Sequence, residues 1–169
     1  NFIVLSPEHP LVEKTTKEFQ KEDVRQYIEK TRLKSERERQ ADKSISGVFT
    51  GSYVIHPFTK EKVAIWIGEY VLFSYGTGAI MAVPCGDQRD WNFANHFDIE
   101  ILNIFKDIDV SDGAYESKNT SIVNSDFLDG LSVKKAINLA IYKIEEGGFG
   151  KEKTNYRLRD AIFSRQRYW

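Results

Sequence analysis

The sequence predicts a mixed α/β fold: a β-barrel-like core of mostly antiparallel strands with helices at its periphery. Three observations predict it. β-Branched and aromatic runs follow one another through the middle of the chain, separated by short links rich in turn residues. Helical stripes of apolar residues stand before and after them. The chain has 169 residues, 41% hydrophobic and 13% aromatic, enough for one sizeable core and one compact domain.

Taken in order, "FIVL" (residues 2–5) is a short apolar run closed by the turn-prone "SPEHP" and reads as a buried strand. From Glu22, the positions Val24, Tyr27, Ile28 and Thr31 follow the i, i+3, i+4, i+7 pattern of an amphipathic helix. "KSERERQADK" beyond it has no apolar stripe and reads as a solvated charged segment. "GVFTGSYVIHP", "KVAIWIGEYVLF" and "GAIMAVP" are three strand-like runs joined by "FTKE" and "SYGT", links suited to an antiparallel meander, and "IEILNIF" (99–105) reads as a further strand. Ser132 is a good N-cap for a helix whose stripe runs Val133, Ala136, Ile137, Ala140, Ile141, Ile144 until Gly147 and Gly148 stop it.

Charge and cysteine content narrow the function classes. Lys and Arg number 24 against 25 Asp and Glu, so the net charge of -1 creates no bulk attraction to a polyanion. The single cysteine, Cys85, cannot form an intramolecular disulfide, and no run approaches the roughly 20 apolar residues that span a bilayer. A soluble, reducing, cytoplasmic home without a membrane partner is expected. The opening "NFIVLSPEHP" lacks the basic leader of a signal peptide, and both ends read as cut from a longer chain.

Candidate chemistry concentrates in "YGTGAIMAVPCGDQRDW" (75–91). Pro84 ends a strand, Gly86 permits a sharp turn, and a helix starts with Asp87 and Asp90 in its first turn. Asp87 suits an N-cap, where its carboxylate meets free backbone N–H groups and the positive end of the helix dipole. Asp90 falls between Ala94 and Phe97 on the helical wheel, so its charge points inward. Such a carboxylate needs a partner. Arg89 projects about 100° away, which leaves two alternatives: an ion pair from elsewhere in the fold, or a cationic ligand. His9, His56 and His96 lack metal-ligand spacing and read as exposed or capping residues, so no metal site is expected. Cys85 has no neighbouring His or Lys and reads as a packed, inert thiol. "GTG" precedes a strand and is too short for a dinucleotide fingerprint.

"GTGAIMAVPCGDQRD", with "SPEHPLV" before it and "NYRLRDAIFSRQRYW" after it, resembles leucyl-tRNA synthetase, specifically the editing insertion that interrupts its catalytic domain. Isoleucyl and valyl enzymes share the glycine pair and the closing Ser-Arg-Gln pattern, whereas "MAVP" followed by "DQRD" is the leucyl form. The resemblance implies the editing-domain fold of those three synthetases, a single domain over residues 1–169, and re-entry into the catalytic body from 157 to 169. It also implies post-transfer editing: hydrolysis of the ester joining norvaline, isoleucine or a similar noncognate amino acid to the 3′ end of leucine tRNA. By the same resemblance Asp90 is the catalytic residue that holds the substrate's α-ammonium. Met81 contacts that end of the amino acid through its backbone, Leu72, Tyr75 and Val83 line the pocket, and Asp87 sits near the terminal ribose. Editing would need no cofactor, ATP and magnesium belonging to the catalytic body. Implied partners are leucine tRNA and the rest of a monomeric synthetase. The sequence departs from the family at Gly86, where a histidine is usual, and lacks the threonine-rich stretch the family carries just upstream. The alternative is a tRNA-docking or structural module, touching RNA through "KSERERQADK" or the Arg-rich C terminus.

Overall fold

The protein's computed structural model describes residues 1–117 and 119–154. Four strands, β1 (Phe2–Leu5), β2 (Val48–Ile55), β3 (Lys62–Ile67) and β4 (Ala79–Ala82), form one sheet in the order β2-β3-β1-β4. Among the described residues five α-helices accompany it: α1 (Leu11–Thr15), α2 (Lys21–Arg32), α3 (Glu36–Ala41), α4 (Gln88–His96) and α5 (Val133–Glu146). The mixed α/β class is as the sequence predicts. The sheet, however, is open and not closed into a barrel, with β2 and β4 at its edges.

The physical reason lies in β1. Every residue of "FIVL" is apolar, so the strand gains most where both of its faces are covered, which is the centre of a sheet. It lies parallel to β3, with Ile3 opposite Ile65, and antiparallel to β4, with Phe2 opposite Ala82. The expected meander therefore stops after β2 and β3, which do pair antiparallel. At Gly68 the chain leaves the sheet: the Gly68 N–H still reaches Leu5 O at 3.0 Å, and Val71 N–H turns back to Gly68 O at 3.2 Å. A side chain at Gly68 would strike Val4 Cγ1 at 2.9 Å, so glycine permits this close exit.

On one face of the sheet, Phe2, Val4, Ala82 and Trp66 pack against Phe93 and Ala94 of α4 and Phe97 just after it. Phe93 is the hub, with ring centroids 5.3 Å from Phe2, 5.6 Å from Trp66, 5.6 Å from Tyr70 and 4.6 Å from Phe97. On the other face Leu5, Ile65 and Ile67 meet Val12 of α1 and Val24, Tyr27 and Ile28 of α2. A third cluster joins Cys85 to Phe105, Val110, Ile122 and the α5 residues Val133 and Ala136, anchoring the turn between β4 and α4.

Two further expectations are corrected. "IEILNIF" is not a strand: the Asn103 amide donates to Ile108 O at 2.6 Å, and its oxygen accepts from Phe105 N–H at 2.9 Å. That local bonding replaces a ladder, leaving a single bridge from Phe105 to Ile122. "KSERERQADK" is not wholly a solvated segment. Ser35 and Glu38 form a reciprocal capping box that starts α3, and Arg39 turns inward, 5% exposed, to pair with Glu8 at 2.8 Å. The segments α2 and α5 stand where their stripes predict, although the Ser132 side chain makes no cap bond. Residues 157–169, read from the sequence as re-entry into a catalytic body, lie outside the described residues.

Because Phe93 touches β1, β3 and the exit after Gly68 together, Phe93→Ala is expected to cost about 3–5 kcal/mol of unfolding free energy, read from the urea midpoint.

Candidate functional site

Pro84 stops β4, and the Val83 carbonyl accepts from Gly86 N–H at 2.9 Å and Asp87 N–H at 3.2 Å, closing a tight turn. Asp87 then caps α4, its Oδ1 accepting from Arg89 N–H at 2.9 Å and Asp90 N–H at 3.1 Å. The capping role read from the sequence holds. Three residues on, Asp90 faces inward as the helical wheel requires and is only 6% exposed.

The ion-pair alternative for Asp90 does not occur among the described residues. Its Oδ2 accepts from Val83 N–H at 2.9 Å and its Oδ1 from the Tyr70 hydroxyl at 2.9 Å, both neutral donors. Burial pushes the Asp90 carboxyl above its usual range, and the negative charge of Asp87 adds to this, while the Val83 and Tyr70 bonds oppose it. Tyr70 is pushed far above an ordinary phenol, first by burial and then by the charge of Asp90, so it stays a donor. Arg89 is exposed.

The strand before the turn presents a second acceptor. Ser6 N–H bonds Gly78 O at 2.8 Å, which sets the phase of the β1–β4 ladder: Val4 and Ile80 form a hydrogen-bonded pair, Ile3 and Met81 a non-hydrogen-bonded one. Met81 N–H and C=O therefore point away from β1, toward the side of β4 that pairs with no other strand among the described residues. Val83 is next in the same phase, and its N–H is the group Asp90 accepts. A carbonyl and a buried carboxylate thus follow one another along one sheet edge. The Met81 side chain stands on the opposite face from Ala82 and Phe93, with Ala79, and is exposed.

Leu72 and Tyr75 belong to the loop that feeds β4, where Tyr75 N–H bonds Leu72 O at 3.3 Å and Gly78 N–H bonds Tyr75 O at 3.3 Å. Leu72 is half-buried and Tyr75 exposed; no hydrogen bond joins either to Asp90 among the described residues. Val83 is brought directly to Asp90, Asp87 lies one turn below it, and Met81 shares its edge. A hollow of about 270 Å³ lies behind Tyr70, lined also by Phe93, Arg89, Glu69 and Arg39. At Gly86 an added Cβ would meet Phe105 Cζ at 3.3 Å, so the loop end is filled by this ring and not by a side chain at position 86. Cys85 is buried and its thiol is pushed up by burial, as an inert packed residue requires. His9 and His56 accept backbone N–H groups through Nδ1, as capping residues do. No group of three His, Cys, Asp or Glu side chains among the described residues is placed to hold a metal, and no described helix is long and apolar enough to cross a membrane.

Sequence reasoning missed Tyr70. It sits inside the apolar run "GEYVLF" and reads as a core aromatic. The signal was the pairing of two needs: a buried phenol requires an acceptor, and a buried carboxylate requires donors.

A family model described as "Leucyl-tRNA synthetase, editing domain" matches residues 1–145. The chain belongs to this family. The leucine–tRNA ligase of Christiangramia forsetii is 63% identical over the whole chain, and that of Amoebophilus asiaticus 50% identical over 99% of it. The chain spans about 18% of the length of each of these ligases. A solved LeuRS from Agrobacterium radiobacter, in ternary complex with tRNA and LeuAMS, superposes on 94% of the chain and 17% of its own length with a TM-score of 0.70 and 31% identity. The editing-domain fold is thereby shared.

An aspartate whose folded value lies above its unfolded one binds more protons folded than unfolded, so its contribution to stability falls as pH rises between the two values. Asp90→Asn removes this dependence while keeping the side chain's shape. Urea titrations from pH 4 to pH 7 are expected to show the variant gaining on the parent protein as pH rises, by about 1.4 kcal/mol per unit of the shift.

Proposed function

We propose that this segment proofreads leucine tRNA within a leucine–tRNA ligase, hydrolysing the ester between a noncognate amino acid such as norvaline or isoleucine and the tRNA's terminal adenosine. One observation carries the reading: Asp90 is a buried carboxylate held by two neutral donors and met by no cation among the described residues. An α-ammonium supplies the missing charge. Of the roughly four acceptor positions on a carboxylate, Val83 and Tyr70 use two, and the Met81 carbonyl adds another acceptor on the same edge for a group with three N–H donors. The similarity to a synthetase solved with tRNA agrees with an RNA-borne substrate.

A second site answers a physical limit. One methylene in a hydrophobic pocket separates substrates by only about 1–3 kcal/mol, a bound for which synthetases of small apolar amino acids are themselves the standing example. Leu72, Tyr75 and Val83 are assigned to the walls that decide which side chain fits, and Asp87 to the neighbourhood of the terminal ribose. With the ammonium fixed by Asp90 and Met81, the ester carbonyl is held in one place and the reaction rests on positioning it against a water. In this reading hydrolysis uses neither a metal nor a covalent intermediate; ATP and magnesium serve the synthetic site of a monomeric cytoplasmic enzyme. An RNA-docking role through residues 34–43 is weakened because Arg39 is committed to Glu8 inside the fold.

In the full-length ligase, Asp90→Ala and the isosteric Asp90→Asn are both expected to lower kcat/KM for deacylation of isoleucyl- or norvalyl-tRNA at least about 100-fold, the scale of leaving a desolvated charge unpaired. Aminoacylation with leucine serves as the control. A parent enzyme that leaves both esters intact would overturn the reading.

A further inference from the structure

We propose that Tyr70 is a positioning residue for this proofreading site: its hydroxyl locks the plane of the Asp90 carboxylate so that the unused lone pairs face the substrate ammonium. The inference rests on the reading of Asp90 given above.

The terminal torsion of an aspartate is soft, and a single donor leaves the carboxylate free to swing about it. Two donors from different elements remove that freedom. Val83 N–H comes from the end of β4 and Tyr70 O–H from the chain leaving β3, each at 2.9 Å and each to a different oxygen. Tyr70 is itself held on two sides. Its ring lies 5.6 Å from Phe93 at 48°, and the missing side chain at Gly68 leaves room for Tyr70 Cε1, which a Cβ there would meet at 3.1 Å.

The chemistry of the donor matters as much as its place. A lysine or arginine at position 70 would hold the carboxylate equally well but would also neutralise it, competing with the ammonium. A phenol that stays protonated gives orientation and leaves the full negative charge for the ligand. The same bond favours the ionised form of Asp90, against burial and against Asp87 on its own helix. The neighbouring sheet face offers Phe2, Ala82 and Trp66, none of them charged, and Arg89 bears on the Tyr70 phenol. Without the hydroxyl, less of Asp90 is ionised at a given pH and the remainder is poorly aimed.

Tyr70→Phe keeps the ring and deletes only this donor. In the full-length ligase, its deacylation kcat/KM on isoleucyl-tRNA is expected to show an acid limb displaced upward by about one pH unit, the scale set by one hydrogen bond to a charged group. The loss relative to the parent should therefore be about tenfold below the limb and smaller above it. A purely packing role would leave the limb in place. Leucylation and the thermal midpoint report whether the fold is intact. Superimposable pH profiles for Tyr70→Phe and the parent, with Asp90→Asn inactive, would overturn the role of Tyr70 alone. An Asp90→Asn enzyme that deacylates like the parent would instead remove the reading of Asp90 on which it rests.

Discussion

A carboxylate taken out of water without a cation to meet it is among the least comfortable groups a small domain can hold, and the direct hydrogen bonds to Asp90 offset that penalty without overcoming it. Burial works against the charge. Against it stand a backbone N–H and a phenolic hydroxyl. Neither of these cancels the charge. The result is an anionic group of fixed orientation at the outer edge of a strand, beside a carbonyl that takes no part in the β1–β4 ladder.

The rest of the fold keeps this arrangement stiff and engages two of the neighbouring cations elsewhere. Phe93 ties α4 to β1, β3 and Tyr70, so the helix that carries the carboxylate and the loop that carries its donor move as one packed unit. Cys85 and Phe105 pin the turn between β4 and α4 from the other side. Two buried or half-buried basic side chains on this side of the fold have carboxylates of their own: Arg39, which lines the hollow behind Tyr70, pairs with Glu8 at 2.8 Å, and Lys34 pairs with Asp42 at 2.8 Å and Glu69 at 3.0 Å. A cation engaged in this way does not swing across to Asp90.

What the sequence discloses and what it hides divide along the range of the interactions. The cap at Asp87, the inward set of Asp90 and the stripes of α2 and α5 follow from residues within a turn or two of each other, and periodicity is enough to read them. Pairings between distant segments are not written in any local pattern. Nothing near "FIVL" says that it enters between β3 and β4, so three consecutive strand-like runs read as a meander and a closing barrel. "IEILNIF" has the composition of a strand, yet one Asn103 side chain bonding its own neighbours is enough to divert it. Arg39 looks like one more solvated charge until Glu8, from the turn after β1, meets it. Tyr70 was hidden for the same reason, since it acquires its role from an acceptor twenty residues on.

Asp87 and Asp90 occupy the N-cap and third positions of the same helix, so one backbone turn serves both. The cap decides where α4 begins, and the count of residues from that beginning decides which way the second carboxylate looks. The interval between these aspartates cannot vary: one inserted residue would turn the acid by about 100° and leave it facing solvent. Whoever transplants this site onto another scaffold must carry the spacing intact.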